Sequence, residues 1–446
     1  MTAAAYAPDQ PERPSSDLAP AIVVLNEKYL PDVARSAARV GATSFALDVM
    51  ACFSDASIFA GAILYRRQPG LAEPTVRAVV RGGVPCVQLS FEFSMEAAAV
   101  RQAISDSVEQ LMRGRPAAVA PMLYYQTDTL LVFHPPRLAA CVTHHAPFVD
   151  DFREHYPEGA AESAFGDTAK SVHLARYQED GIRVLTASAN IFVIQHSRVQ
   201  RDYLLRRGVD RARIREVPPP LPDHDPVDRP LPEPLASFVA SADLLVYTAV
   251  ARLDYFKNVD MLLSSGELLM DRGLPVRILV VGGGSEDSPS RERLSRSLLP
   301  ARSRQVLAVE RLPKDDLYRL FQQTTEKGVF VCSSRYETLG ITPLEAARHG
   351  VATVISGAPT VEAGRFFPQE LRFAPTAAAL ADTVEGVVRA GPALIGAQLR
   401  FSISHLTSRQ KFREEFLQAW QHFTTMARAT APDLTDAPGP PVATYS

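Results

Sequence analysis

The feature that most constrains this chain is a proline-dense stretch near its middle. From Val217 to Pro234 the sequence reads VPPPLPDHDPVDRPLPEP. Proline fixes φ and has no backbone N–H to donate, so neither a helix nor a central strand can continue through such a stretch. The stretch is therefore predicted to be a linker between two domains.

Short apolar runs alternate with amphipathic stretches of helical length on both sides of this linker, which is typical of parallel sheets covered by helices. Strands are predicted at residues 21–25, 43–49, 84–90, 129–133, 139–144, 191–195, 243–251, 276–283, 305–310, 328–333 and 352–357. Helices are predicted over 259–271, over 314–323, over 344–349 just after Pro343, and over 401–428 with at most one break near Ser408. We expect two Rossmann-like α/β domains that face one cleft, where ligands bind in open α/β folds.

The same patterns predict the domain boundaries. The two ends of the chain are rich in Pro, Ala and small polar residues that cannot bury a core, so they are expected to be disordered tails. The expected units are a tail at 1–20, an N-terminal domain at 21–222, the linker at 223–236, a C-terminal domain at 237–400, helices that pack back towards the N-terminal domain at 401–431, and a tail at 432–446.

Composition excludes several classes of partner. Lys and Arg number 47 against 50 Asp and Glu, for a formal net charge of -3, so no broad basic surface for nucleic acid or anionic lipid is expected. No signal peptide and no apolar run of about 18 residues is present, which predicts a cytoplasmic protein without stable membrane insertion. The four cysteines form no CxxC pair and are expected to be buried thiols in a reducing compartment. Abundant Arg, Ala and Pro indicate a bacterial, GC-rich origin, and the oligomeric state is left open.

The most informative segment is GVFVCSSRYETLGITPLEAARHG, at residues 328–350. It is typical of a buried strand, then a loop with Glu337, then a helix opened by proline that carries Glu345. Between the two acids, unpaired amides at the helix start would favour a phosphate, namely those of Thr338, Leu339, Gly340 and Ile341. Glu345 is suited to hold a ribose diol and Glu337 to accept hydrogen bonds from sugar hydroxyls. The spacing alone fits two solvated acids equally well, but the order of elements favours a ligand site.

A second segment, VARLDYFKNVDMLL, places Arg252 and Lys257 after the first strand of the second domain. Two cations in a strand-to-helix loop can neutralise a pyrophosphate without a metal. An Arg and a Lys in a loop more often face solvent. Their place at the carboxyl end of the sheet favours the ligand interpretation.

These two segments, with RILVVGGGSE and RLPKDDLYRLF between them, resemble the nucleotide-sugar-binding domain of GT-B retaining glycosyltransferases of family 4, the branch that includes sucrose-phosphate synthase. The resemblance covers about residues 243–365, with four motifs in the expected order. It implies a GT-B fold in which Glu337 contacts the donor sugar, Glu345 contacts the ribose, and Arg252 and Lys257 hold the diphosphate. It further implies a donor site that includes Thr338, Leu339, Gly340, Ile341, Thr342 and, near the nucleobase, Arg311 and Leu312.

The first half of the chain is less similar to this family. Residues 190–222 are similar to its last N-terminal strand and helix, and CVTHHAPF is similar to a strand-end histidine segment that places an imidazole near the donor sugar. His145 aligns best and is expected to be catalytic together with Glu337, Arg252 and Lys257. His144 is one residue off and is a second candidate on the sugar or acceptor side, although such a pair can equally be structural. The loop after the first strand, NEKYLPDV, lacks the family's glycine-rich turn, so either the acceptor side is remodelled or the first strand is misplaced.

Other chemistries find less support. The histidines and acids of HHAPFVDDFREH fit no recognised metal-binding spacing, and the three glycines at 282–284 lack the further glycine and acid of a dinucleotide fingerprint. No P-loop and no GxSxG elbow is present.

We therefore expect a metal-independent, retaining transfer of sugar from a nucleotide diphosphate sugar to a hydroxyl of a soluble acceptor, such as a sugar, a sugar phosphate or a specialised metabolite. No cofactor is expected. Two alternatives are a nucleotide-sugar epimerase of the same fold, and a catalytically silent GT-B-like partner subunit. Retention of all four charged donor positions disfavours the silent partner.

Overall fold

Two separate sheets, one on each side of the proline-dense stretch, form the framework of the protein. The computed structural model describes residues 18–30, 41–115, 120–166, 168–218, 220–221, 229–284, 292 and 300–430. Residues 1–17 of the predicted tail at 1–20, the predicted tail at 432–446, and residues 223–228 of the predicted linker lie outside the described residues. The predicted tail at 1–20 extends too far, because Ala19 is buried in the N-terminal core and its carbonyl accepts from Trp420 Nε1 at 3.0 Å.

The N-terminal sheet has eight strands in the order β3-β4-β2-β1-β5-β6-β7-β8. They are β1 Ala21–Asn26, β2 Phe59–Arg67, β3 Thr75–Arg81, β4 Val84–Phe91, β5 Met122–Tyr125, β6 Ala139–Val142, β7 Ile191–Gln195 and β8 Ile214–Glu216. All neighbours are parallel except β3, which runs antiparallel to β4 at the edge. The central strands are buried on both faces, which explains their nearly continuous apolar sequences.

The C-terminal sheet has six parallel strands in the order β11-β10-β9-β12-β13-β14. They are β9 Leu244–Val250, β10 Val276–Gly282, β11 Val306–Val309, β12 Gly328–Cys332, β13 Ala352–Ser356 and β14 Arg372–Phe373. Two sheets of mainly parallel strands, each covered by helices, confirm the predicted α/β fold class.

Helices cover both sheets. They are α1 Gly41–Asp55, α2 Ala97–Met112, α3 Val149–His155, α4 Ala160–Phe165, α5 Thr168–Ala187, α6 Arg198–Arg206, α7 Leu235–Ala240, α8 Val259–Asp271, α9 Lys314–Gln323, α10 Ile341–Arg348, α11 Ala377–Ala390, α12 Pro392–Leu406 and α13 Arg409–Thr430. Short 3-10 turns lie at Glu27–Tyr29, Asp128–Phe133, Arg211–Arg213, Tyr255–Lys257, Pro300–Gln305, Glu362–Phe366 and Gln369–Leu371. None of the helices within the described residues combines the length and the apolarity that a membrane crossing requires.

Two predicted strands are wrong. Residues 43–49 belong to α1, and residues 129–133 belong to a 3-10 turn. In α1 the buried side chains Phe45, Val49 and Phe53 recur every four residues, which is helical spacing. The segment 43–49 is too short to show helical spacing in its sequence, which is why it is predicted as a strand. Five strands of the structure are not predicted from the sequence, namely β2, β3, β5, β8 and β14.

Two predicted boundaries also shift. The predicted linker at 223–236 ends earlier, because Leu231 and Leu235 are buried in the core of the C-terminal domain. The predicted returning helices at 401–431 begin later, because Ile403 of α12 also belongs to that core. The returning helix is α13 alone.

The chain crosses between the domains twice, at the proline-dense stretch and between α12 and α13. The two crossings lie side by side, since Leu221 and Ser408 form an isolated parallel bridge. The Leu221 N–H donates to the Thr407 carbonyl at 3.1 Å. After the second crossing, α13 packs on the N-terminal core, where the Trp420 ring lies 4.6 Å from that of Phe53.

Candidate donor-binding site

The carboxyl ends of β9 and β12 are neighbours in the C-terminal sheet, and they bring the two charged segments together. Lys257 Nζ lies 2.5 Å from Glu337 Oε2. Ser334 Oγ donates to the same carboxylate oxygen at 3.1 Å. Both charged side chains are about one-fifth exposed, 19% for Lys257 and 18% for Glu337. A cation and an anion are therefore held against each other at the edge of the cleft.

The ammonium of Lys257 is charged at neutral pH. Burial acts to lower its pKa, but the Glu337 carboxylate outweighs burial, so the pKa of Lys257 lies above its ordinary value. The backbone carbonyl of Lys257 accepts from Ser333 Oγ at 2.9 Å, which fixes the loop to β12.

Arg252 lies apart from this pair. Its guanidinium is 69% exposed and contacts Asp254 at 3.2 Å. Burial raises the pKa of Asp254, although the cations Arg252 and Lys257 act against that rise. An exposed ion pair contributes little to stability. Arg252 can therefore exchange Asp254 for an incoming anion at small cost.

Gly340 begins α10 in a conformation that other residues rarely adopt, with φ of +70°. A Cβ at this position would lie 2.4 Å from the Cβ of Ala363 and 3.2 Å from Cγ of Glu337. Glycine therefore lets the loop pass close to the turn at Glu362–Phe366. A parallel bridge between Glu337 and Val361 holds the two segments together.

Glu345 is the most enclosed acid of the site, at 3% exposure. Its Oε1 accepts from Lys314 Nζ at 2.5 Å and from the Tyr318 hydroxyl at 2.7 Å. Both partners lie on α9, and sequence reasoning did not identify either as a site residue. Their spacing of four residues places them on one helix face, directly after Arg311 and Leu312, and that was the available signal.

The remaining predicted donor residues lie in the loop before α10, in the first turn of α10, and after β11. Thr338 Oγ1 donates across the cleft to the His145 carbonyl at 2.7 Å. Leu339 is buried, whereas Ile341 and Thr342 are half-buried in the first turn of α10. The Arg311 N–H donates to the Gly283 carbonyl at 2.9 Å, and Leu312 packs against the C-terminal core.

A cavity of about 680 Å³ opens beside Glu345. Its C-terminal wall includes Lys314, Tyr318 and Ile341, and its opposite wall is formed by α1 and the start of α13. Residues from both domains line it, so the cavity is part of the interdomain cleft.

The structure separates the two candidate histidines. His145 Nε2 lies 2.8 Å from Gln126 Oε1, and its ring is 5.2 Å from that of Phe45. Burial, followed by the neighbouring His196 and His144, lowers the pKa of His145 well below its ordinary value, so the ring is neutral. The His144 ring instead stacks on Phe148 at 3.8 Å within the N-terminal domain. The His145 residue contacts the Thr338 loop through its backbone carbonyl.

Aromatic residues of the N-terminal domain support Lys257. The adjacent Phe256 is buried, and its ring lies 5.6 Å from that of Phe152 and 5.2 Å from that of Phe165. The Tyr336 hydroxyl, next to Glu337, donates to Asp151 Oδ2 at 2.5 Å. The two domains therefore meet directly around the charged pair.

The first strand lies where it was predicted. β1 pairs in parallel with β2 and β5, so the absence of a glycine-rich turn does not come from a misplaced strand. The loop after it continues as a 3-10 turn in which Glu27 accepts from Gln88 Nε2 at 2.8 Å. Residues 31–40 lie outside the described part of the chain. Within the described part, no group of three or more His, Cys, Asp and Glu side chains is arranged to hold a metal ion.

Several solved structures share this architecture. The chain is 17% identical to sucrose-phosphate synthase from Thermosynechococcus elongatus, covering 90% of this chain and 98% of that chain with a TM-score of 0.60. It is 12% identical to an E. coli trehalose-6-phosphate structure bound with UDP-2-fluoro glucose, covering 90% and 98% with a TM-score of 0.61. The chain is 14% identical to S. aureus TarM with a TM-score of 0.49, and the match covers 67% of this chain and 55% of TarM.

No curated protein sequence matches the chain. The family model for glycosyl transferases group 1 matches residues 237–363, which contain both charged segments, Gly340 and the Glu345 cluster. Residues 237–363 are thus similar to glycosyl transferases group 1, and the chain as a whole has a two-domain GT-B fold.

Proposed function

We propose that the protein is a retaining, metal-independent glycosyltransferase that moves a sugar from a nucleotide diphosphate sugar to a hydroxyl of a small soluble acceptor. The observation that carries this proposal is the Lys257–Glu337 pair at the carboxyl ends of β9 and β12, together with the Glu345 cluster on the helix that follows β12. All three lie inside the segment that matches glycosyl transferases group 1. UDP is the first nucleotide to test, because the related E. coli fold holds a UDP sugar.

Departure of the nucleotide diphosphate is the step that most needs the protein. Negative charge develops on the β-phosphate oxygen as the sugar bond breaks, and preorganised cations and amides stabilise such charge. Lys257, Arg252 and the amides after Gly340 supply these groups. Lys257 is paired with Glu337, so a bound diphosphate would share this cation with the carboxylate.

Glu337 and His145 are assigned to the sugar. The carboxylate accepts hydrogen bonds from sugar hydroxyls, and the neutral imidazole belongs to the residue whose backbone carbonyl accepts from Thr338 across the cleft. The acceptor hydroxyl then attacks from the face that the diphosphate leaves, and a phosphate oxygen takes its proton. No separate carboxylate base is required. Water must be excluded for transfer to prevail over hydrolysis, and domain contact around Phe256 serves this purpose.

The acceptor side is proposed to be a modified version of the family's site, because a Glu27-centred turn stands where related chains have glycines. We also propose a cytoplasmic location, which the four buried, unpaired thiols support.

Calorimetric titration with UDP, GDP, ADP and dTDP, without added metal, tests the donor site. One nucleotide should bind the native protein, and Lys257→Ala and Glu345→Ala should each weaken binding at least tenfold. Lys411→Ala is the matched control, since Lys411 lies on α13 and approaches Glu415 of the same helix at 4.0 Å. Failure of all four nucleotides to bind would overturn the proposal. Binding without turnover over a panel of acceptor sugars and sugar phosphates would indicate the silent partner instead.

A further inference from the structure

The N-terminal sheet ends on one side in β3, which pairs only with β4 within the described part of the chain. Val76 on this strand is 37% exposed and Val80 is 71% exposed, and both are among the few large apolar side chains that the described residues expose. Ala78 between them is also exposed. Side chains alternate between the two faces of a strand, so these three lie on the same face. An exposed apolar edge strand is a template for pairing with another strand.

The turn between β3 and β4 decides which backbone groups of β3 point outwards. Gly82 and Gly83 have φ of +55° and +80°, and they alone separate Arg81 from Val84, which face each other. The residues that flank such a two-residue turn exchange both of their backbone hydrogen bonds, and every second pair along an antiparallel ladder does the same. The odd-numbered residues of β3 therefore bond to β4. The even-numbered residues point their backbone N–H and carbonyl groups away from it.

These outward groups are arranged symmetrically about Ala78. Pro74 precedes the strand and has no N–H to donate, and Gly82 already belongs to the turn. Each lies four residues from Ala78. A second copy of β3 can therefore pair with the first in the antiparallel direction, with Ala78 facing Ala78 and Val76 facing Val80. This register uses every outward backbone group of the strand, with two hydrogen bonds for each facing pair.

The positions of the charges favour the same register. In it, Arg77 faces Val79 of the second copy and Arg81 faces Thr75. The Arg81 guanidinium also binds the Glu27 carboxylate of its own chain. A shift by two residues in either direction would instead place Arg77 opposite Arg77 or opposite Arg81 of the second copy. Like charges directly opposite each other destabilise a pair of strands, so the two shifted registers are disfavoured.

We propose that β3 is a dimerisation surface, at which two copies of the chain join their N-terminal sheets into one continuous sheet. The two-fold axis passes between the facing Ala78 residues. A symmetric contact of this kind uses the same surface on both copies and closes after two of them. The facing valines then cover each other's apolar surface, which removes it from water.

Sedimentation velocity of the full-length protein over a wide range of concentrations tests the dimer. The native protein should reach the mass of two chains. Val80→Lys changes a highly exposed side chain, so the fold should tolerate it. Because each dimer contains the substitution twice, the Kd of the dimer should rise by about tenfold or more. Val172→Lys is the matched control, since Val172 is an exposed valine on α5, at 52%, and it should leave the Kd unchanged.

Cross-linking tests the register. Facing Cα atoms in a hydrogen-bonded antiparallel pair are about 5.5 Å apart, so the short thiol reagent dibromobimane should join two copies of Ala78→Cys. Val76→Cys alone, or Val80→Cys alone, places its two thiols four residues apart along the strands, about 13 Å, and should not cross-link. A mixture of these two variants should cross-link, because Val76 faces Val80. The four native cysteines are buried and should not react.

A native protein that sediments as a single chain at every concentration would overturn the proposal. A dimer that is as tight in Val80→Lys as in Val172→Lys would overturn it as well. Dimerisation only after removal of residues 1–17 would assign the edge of β3 to the chain's own N-terminal segment instead. Cross-linking of Val76→Cys alone as efficient as that of Ala78→Cys would contradict the register. None of these outcomes depends on nucleotide binding or sugar transfer.

Discussion

Replacing Gly340 by alanine tests whether the turn before α10 builds the donor site. The left-handed backbone at this position has φ of +70°. A residue with a Cβ loses about 1–2 kcal/mol in that conformation relative to glycine. The new Cβ would also lie 2.4 Å from that of Ala363, which is fully buried. Neither atom belongs to a flexible side chain, so backbone must move.

Overpacking of this kind costs about a further 1–3 kcal/mol. The expected loss is therefore about 2–5 kcal/mol in the free energy of unfolding of the C-terminal domain. Each kcal/mol corresponds to roughly 2–4 °C in Tm for a domain of this size. Because the Glu337 side chain lies 3.2 Å from the new atom, nucleotide affinity should also fall by at least tenfold.

Gly350→Ala is the control that separates the two costs. Gly350 follows α10 with φ of +84°, but the nearest atoms to its added Cβ lie at 3.8 Å. It should show the backbone cost alone, with native nucleotide affinity. Thermal unfolding and calorimetry on both variants give the comparison. Equal Tm values for the two variants, or unchanged affinity in Gly340→Ala, would refute the reasoning.

Three further predictions concern charge, pH and the returning helix. Lys257→Met should weaken nucleotide binding more than Arg252→Met, because Lys257 is held in the site whereas Arg252 is 69% exposed; calorimetric Kd values that rank the other way contradict this. Burial lowers the pKa of His196 to about 3, so the unfolded chain binds a proton at a higher pH than the folded protein does. The stability that His196 contributes is therefore complete above pH 6.5 and falls by about 1.4 kcal/mol per pH unit below that value. A Tm that stays constant between pH 6.5 and 4.5 would show that the ring is charged in the folded protein. Phe416→Ala should lower the free energy of unfolding by about 3–5 kcal/mol, because it removes the contact between Phe416 and Phe53. It should also shift the fluorescence emission of Trp420, the one tryptophan of the chain, towards that of an exposed indole. An unchanged emission maximum would mean that the packing of α13 does not depend on the contact between Phe416 and Phe53.

Sequence alone predicts those parts of the fold that have a long regular pattern. The bounds of α8 and α9 agree with the structure because apolar residues recur at helical spacing over ten or more positions. The segment 43–49 misled because seven residues are too few to separate a strand from a helix. Strands such as β5, with four residues, carry even less pattern.

The residues of the site likewise divide into those that a sequence pattern predicts and those that no pattern predicts. Glu337 and Lys257 stand out because each follows a strong strand signal, and the parallel sheet then places them together. Gln126 carries no such signal, and Lys314 carries only its helical spacing from Tyr318. Their importance comes from the partner that folding brings to them, Glu345 in one case and His145 in the other, and residue spacing does not encode that contact.

The paired crossings near Leu221 and Ser408 have a mechanical consequence. A domain attached through one flexible segment can turn about any axis. Two adjacent segments joined by a hydrogen bond remove most of this freedom and leave rotation about an axis near the pair. Points near that axis move little, and points at the far side of the cleft sweep the widest arc. The domains should therefore open by a hinge rotation about the two crossings, and a ligand would enter from the side opposite the crossings.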